Sequence, residues 1–441
     1  MAEEPITIPN AFAPVSKDAW RAQVEADLKG KPLSTLNTTL EPGITLQPLY
    51  TQGDVPTTDT GFPGLPPFTR GSTALANAGT GWRVCQEYDD PRMEVAAAAV
   101  KADLENGADA VWIRMACDQG VRVLTAGDVE TVLEAVDLRR HGVHLESLSD
   151  VLLVSAAFFA IADARGVPYS ELRGGLGADP LGTLAETGTL PDAYQASARA
   201  MSELAYFCHT KAPGVRAVCV STRPYADAGA TTTQELAYAI ATVAEYMRQL
   251  IGSGLGADAA AQQIGLALSV SSDFFSQIAK LRAARMPFAQ AVGAFGASPA
   301  AQATVIHART ASFTKTRRDP WVNMLRATTE TAAAAIGGAD SVATGAFDEA
   351  CGPSDAFARR VARNTHVVLR DESHLSRVAD AAGGSWFIES LTDQLARAAW
   401  EQFQKLEADG GMRRALGRGV IHSALEAGSN AQRTAIATRP P

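Results

Sequence analysis

The chain has few of the features that mark secreted, membrane or nucleic-acid-binding proteins. Its 441 residues include five cysteines (Cys85, Cys117, Cys208, Cys219 and Cys351). The number is odd, the spacing scattered, and no CxxC occurs. That excludes a disulfide framework or a zinc ribbon and fits a reducing, cytoplasmic compartment. No run of about 18 apolar residues exists, so no membrane-spanning helix is expected. The opening MAEEPITIPNAF is acidic and lacks the apolar core of a signal peptide. No long basic run stands out, and Asp and Glu outnumber Lys and Arg by 48 to 39, which argues against a nucleic-acid partner. No GxGxxG opens a helix; Gly174–Gly175–Leu176–Gly177 lacks the spacing.

What is present is an alternation. From Trp82 onward, short β-branched runs are each followed by a long segment of helical period. The strand candidates are Trp82–Tyr88, Ala110–Met115, Gly142–Glu146, Gly174–Asp179, Ala217–Thr222, Ile264–Ser272, Ala303–Ala311 and Asp340–Gly345. Eight βα units in succession predict an α/β fold, a closed (β/α)8 TIM barrel over Trp82 to Asp371. An open doubly wound sheet is the alternative. The expected organisation is an extended arm over 1–71, a barrel over 72–375 and C-terminal helices over 376–441. The Pro/Gly/Thr-rich stretch Pro42–Gly71 reads as a disordered leader or as an arm laid across another surface. Leu49, Tyr50, Phe62 and Phe68 favour the arm, because large apolar side chains gain by burial.

Period-two alternation assigns strand faces. The apolar face should meet the surrounding helices. That leaves Ala110, Trp112 and Arg114 inside, then His144 and Glu146, Cys219 and Ser221, Ala267, Ser269 and Ser271, His307 and Arg309, and Ser341 and Ala343. Barrels of this kind ordinarily fill their centre with Val, Ile and Leu. Small and polar residues at these positions predict either a channel that holds a ligand or a closed polar network, in which His144, Glu146, Arg114 and Arg309 pair with one another. Asp179–Pro180 reads as a turn. Lys280, Arg282 and Arg285 read as a solvated helix face or a salt-bridge set, and the Arg360–Asn364 stretch as packing.

Several longer stretches carry a family likeness. PLYTQGDVPTTDTGFPGLPPFTRG (Pro48–Gly71), DAGATTTQELAYAIATVAEYMR (Asp227–Arg248), AKLRAARM (Ala279–Met286), RDPWVNMLR (Arg318–Arg326), FARRVARNTHVVLRDESH (Phe357–His374) and GGSWFIESLTDQLARAAW (Gly383–Trp400) appear in order along nearly the whole chain. The sequence resembles the barrel of the methylmalonyl-CoA mutase family, and most of all its small, non-catalytic subunit. The resemblance implies a barrel that threads the pantetheine of an acyl-CoA, and adenosylcobalamin in the assembled enzyme. It also implies a mutase large subunit as heterodimer partner, or self-association. Tyr50, Phe62, Phe68 and Arg70 become candidates for subunit contact, and His307, Arg309, Ser269 and Ser271 for facing cofactor or substrate.

The sequence departs from that family where the chemistry needs side chains. By resemblance, Asn77 stands at a Tyr position, Gly177 at a Gln, Pro224 at a His, and Arg309 at the Gln of a His-Ser-Gln run in which His307 is retained. The cobalamin signature DxHxxG is absent from these residues, and the chain ends at IATRPP, near where the family's linker would begin. No catalytic residue and no metal ligand is expected, and no cofactor bound by this chain alone. The expected role is a degenerate structural barrel supporting a catalytic large subunit. The alternatives are a mutase of altered substrate range that uses a cobalamin domain in trans, and an acyl-CoA-binding module.

Overall fold

The computed structural model describes residues 13–437 except 57, 116–119, 149 and 191. Cys117, the segment MAEEPITIPNAF and the terminal Arg439–Pro441 lie outside the described residues. Contacts divide the chain into two units, Met1–Asp54 and Val55–Pro441.

The first unit contains a helix, Lys17–Asp27, whose Ser16 hydroxyl accepts from the Ala19 amide. A small antiparallel hairpin follows, β1 (Thr38–Glu41) and β2 (Ile44–Leu46), joined through Pro42–Gly43. The sequence reading treated the chain from Pro42 as extended. Two strands of three and four residues are too short to leave a readable alternation. Lys17 and Asp54 close this unit with an ion pair at 2.7 Å.

The second unit carries the eight parallel strands β3 (Arg83–Tyr88), β4 (Ala110–Met115), β5 (Gly142–Ser147), β6 (Gly174–Ala178), β7 (Val215–Ser221), β8 (Ile264–Val270), β9 (Ile306–Thr310) and β10 (Ser341–Ala343). They close in sequential order, with β10 pairing both β9 and β3. The barrel is therefore the expected one, and the open sheet is excluded. The outward face is apolar because helices cover it. Val111, Ile113, Met115, Val143, Leu145, Val218, Val220, Ile264, Leu266, Leu268, Val270 and Ile306 are all at most 2% exposed. At about 1.5–3 kcal/mol for each large side chain, that layer fixes the register, since a one-residue slip would turn the whole apolar set toward the axis.

Polar side chains tie the helices to this frame. Thr231 and Gln234 form a reciprocal capping box at the start of Thr232–Gly252. Asp179 caps the helix Pro180–Thr187 through the Gly182 amide and also accepts from the Ser221 amide and the Tyr246 hydroxyl, so its role is the structural one expected of it. Burial raises its carboxyl to about 6. Lys280, Arg282 and Arg285 are buried on the helix Phe274–Ala294 rather than solvated. They pair with Glu235, with Asp380 and Glu389, and with Asp340. Arg359 and Arg363 share Asp103 at 2.7 and 2.5 Å.

Residues 55–71 belong with the barrel unit, so the structural division falls before Val55 and not after Gly71. Thr58 donates to Asp393, Arg70 pairs with Asp380 at 2.8 Å, and Phe68 is 3% exposed within this chain alone. Phe68 and Arg70 are thus engaged by their own barrel. Phe62, 70% exposed, keeps a free apolar surface. Tyr50 lies in the first unit, its hydroxyl accepting from the Gln47 amide.

Candidate functional site

The barrel axis is where small and polar residues converge. Cys85, Ala110 and Ala343 form one wall with Trp112 against them. Ala267, Ser269, Ser221, His307, Arg309 and Ser341 line the same space, and Cys219 lines a second void just above. The inward placement of Ala267, Ser269, Ser221, Cys219, His307, Arg309, Ser341 and Ala343 therefore holds, although Leu268 and Ala308 of the apolar face also border the cavity, and Ser271 departs from it. Ser271 lies one residue beyond the end of β8, donates its amide to Gln277, and is not among the lining residues. Alternation cannot say where a strand stops.

This interior is filled. The main axial cavity measures about 30 Å³ and the one above it about 20 Å³, room for roughly one water each. In the middle, the Trp112 ring stacks on His144 at 5.5 Å and meets the edge of His307 at 5.5 Å, and the two imidazoles lie 4.2 Å apart. His307 Nδ1 also contacts the Ser341 hydroxyl. Burial, reinforced by Arg83 and Arg216, lowers His144 to about 3. Burial, His144 and the same guanidiniums push His307 well below its ordinary value. Both rings are neutral near pH 7, with little basicity left for proton transfer.

Above the rings, ion pairs cross the axis. Glu87 accepts from Arg223 at 3.1 Å and from Arg309, and Arg309 reaches Glu349 at 3.3 Å. Trp112 Nε1 donates to Glu146 at 2.8 Å, and Arg114 joins Glu146 and Glu186. Burial alone would raise the Glu87 carboxyl, but Arg309 and Arg223 outweigh it and hold it at about 2. Burial likewise opposes the charge on Arg309, and Glu87 and Glu349 overcome that opposition and raise its pKa. Of the two interiors open to the sequence, this is the closed network. Arg114 and Glu146 pair as expected, whereas Arg309 pairs with Glu87 and Glu349 and not with Glu146. Glu87 was missed: the strand Trp82–Tyr88 alternates too weakly to assign its faces, and nothing marks Glu349 in the loop after β10.

The positions flagged by resemblance have acquired other tasks. Asn77 donates to the carbonyls of Ala339 and Ala335. Pro224 sits in the first turn of a short helix, Arg223–Asp227. Gly177 has φ +64°, and a Cβ there would lie 2.2 Å from the Leu145 carbonyl oxygen. The backbone itself has moved to a conformation that suits glycine, in a stretch where the β6–β7 register shifts. Restoring the side chain by Gly177→Gln should therefore destabilise the barrel by about 2 kcal/mol or more, read as a lowered urea midpoint at constant m-value.

The profile described as "Methylmalonyl-CoA mutase" matches residues 39–118 and 115–440. The methylmalonyl-CoA mutase small subunit of Streptomyces virginiae is 40% identical over all of this chain and 71% of its own length. That of Propionibacterium freudenreichii subsp. shermanii is 34% identical over 97% of this chain and 67% of its own length. The methylmalonyl-CoA mutase of Escherichia coli (strain K12) is 30% identical over 94% of this chain and 61% of its own length.

Proposed function

The chain belongs to the methylmalonyl-CoA mutase family, and from that premise we propose that it serves as a structural small subunit, a degenerate barrel that supports a catalytic large subunit. The observation that carries this reading is the filled axis. A small-molecule site needs some 300 Å³ or more, and the axial cavity offers about 30 Å³. An acyl-CoA arm would have to displace the Trp112–His144–His307 cluster and break the Glu87–Arg309 pair. Small residues at the lining positions therefore do not make a channel here, which counts against the acyl-CoA-binding module.

The family uses adenosylcobalamin, which supplies a carbon-centred radical when bound. The residues present do not fit it. Arg309, clamped between two carboxylates, occupies the barrel mouth where the resemblance calls for an uncharged amide. This disfavours a mutase of altered substrate range. The four described cysteines are unpaired, in keeping with a cytoplasmic location, and no helix among the described residues is long and apolar enough to cross a membrane.

The partner contacts proposed here are Phe62 on the barrel unit and, independently, the unit ending at Asp54, whereas Phe68 and Arg70 serve the chain's own barrel. The test is co-expression with a mutase large subunit. Co-elution in size-exclusion chromatography is expected, with methylmalonyl-CoA turnover by the complex and none by this chain alone in the presence of adenosylcobalamin. Succinyl-CoA formation by the purified chain alone would overturn the proposal. Removing residues 1–54 should leave a folded barrel with weakened co-elution, whereas a cut at residue 71 would also strip Phe68 and Arg70 from the barrel.

A further inference from the structure

The side chains of β3 border two spaces, with Glu87 on the wall between them. Cys85 and Glu87 face the axis, while Gln86 and Tyr88 line a separate cleft on the far side of the Glu87–Arg309 pair. That cleft measures about 310 Å³, some tenfold the axial cavity and within the range of small-molecule sites. Its apolar wall comes from Val95 and Ala96 on the helix Met93–Glu105, and Arg359 lies over the Tyr88 ring at 4.6 Å.

Three side chains that line it carry a buried polar atom with no partner: Gln86 Nε2, Arg359 Nε and Glu349 Oε1. Gln86 is only 3% exposed, so bulk water does not answer for its amide. Orphaned buried groups are costly; the Nε of Arg359 is one of six guanidinium Nε atoms so placed among the described residues, so Gln86 and Glu349 are the distinctive pair. The three comprise one neutral donor, one cationic donor and one carboxylate acceptor around a single space.

The charges are arranged to match. On one side, Arg359 and Arg363 share the single carboxylate of Asp103, leaving an excess of one positive charge. On the other, Glu87 is answered by both Arg309 and Arg223, Glu349 reaches Arg309 through one oxygen and leaves Oε1 without a partner, and Asp89 stands exposed at the lip with no ion pair among the described residues. An inorganic anion would answer the first side and leave Glu349 unanswered; a simple cation would do the reverse.

We infer that this cleft binds a small zwitterion of the free α-amino-acid class. Its carboxylate lies toward Arg359 and Gln86, its ammonium toward Glu349 and Asp89, and a short aliphatic side chain rests against Val95 and Ala96. The site borders the axial cavity across the Glu87–Arg309 pair, which lines both, and it does not depend on the structural-subunit reading.

Saturation-transfer NMR on the full chain, with each proteinogenic amino acid and its N-acetyl and methyl-ester derivatives, tests this. Transfer is expected from one or more free amino acids and is expected to vanish when either charge is masked. Glu349→Gln and Gln86→Leu should each weaken binding about tenfold. Val95→Trp, at a half-exposed position on the wall, should block it while circular dichroism shows an unchanged fold. Absence of transfer from every free amino acid would overturn the inference. So would transfer that survives N-acetylation or esterification, or binding that persists unchanged in Glu349→Gln and Val95→Trp.

Discussion

Replacing Arg309 with methionine should lower the stability of the barrel by roughly 3–5 kcal/mol at about pH 7, because it leaves a buried carboxylate short of its partner. Glu87 would keep Arg223 at 3.1 Å but lose Arg309, and Glu349 would lose its one ion pair among the described residues. The pH dependence gives the effect a signature. In the wild type the Glu87 carboxyl is held at about 2, below its ordinary value near 4.5. The unfolded chain therefore binds more protons between these two values, and stability rises with pH across that window. A shift of that size corresponds to about 3 kcal/mol, present above pH 4.5 and lost as pH falls toward 2. Without Arg309 the folded carboxyl moves up and most of that slope disappears. Urea titrations at about pH 7 and about pH 4 should thus show the gap between wild type and Arg309→Met narrowing with acid. Adding Glu87→Gln to the variant should recover part of the loss, and the double-mutant cycle would give the coupling. A gap independent of pH would mean that Arg309 acts by filling space and not by charge.

A loss of similar size is expected at the pair Lys315 and Glu330. Both side chains are 0% exposed, with Nζ and Oε2 2.5 Å apart. Thr314 donates to the other carboxylate oxygen at 2.7 Å, and the Lys315 ammonium also reaches the Ala311 carbonyl at 3.2 Å. Glu330→Ala would leave an ammonium in the core with only neutral acceptors, at a cost of roughly 3–5 kcal/mol. Lys315→Met should cost less, since burial already raises the Glu330 carboxyl and lets it take up a proton. The double variant Lys315→Met/Glu330→Leu should return close to wild-type stability, because isosteric apolar replacement of a buried pair is often neutral. Thermal unfolding of the three variants measures this. Were the double variant as unstable as Glu330→Ala, the pair would be a net contributor to stability and not a matched set of mutually cancelling costs.

These two networks mark where the sequence stops being informative. Lys315 and Glu330 are fifteen positions apart, in a loop and on the helix Val322–Ile336, and neither residue type suggests burial. Glu87 and Arg309 are separated by more than two hundred positions and meet only because β10 closes the barrel between β3 and β9. The inward placement of Ser269, His307, Cys219 and Ala343 was legible, because strand period is a local property that survives without knowledge of the fold. The exclusion of Ser271 was not, since it depends on where the β8–β9 ladder ends.

The sequence by itself determined the eightfold strand–helix order, the closed barrel, the polar lining of its axis and the family. All of these follow from periodicity and from motifs a few residues to two dozen residues long. Only the tertiary structure decided whether that lining encloses a channel. Polar and small side chains at inward positions are compatible with a hollow tube or a filled one. The difference lies in whether Trp112, His144 and His307 turn toward one another and whether Arg309 finds carboxylates within reach. Those contacts join strands distant in sequence. Their energies depend on separation and on exclusion from water, and both are set only when the barrel closes.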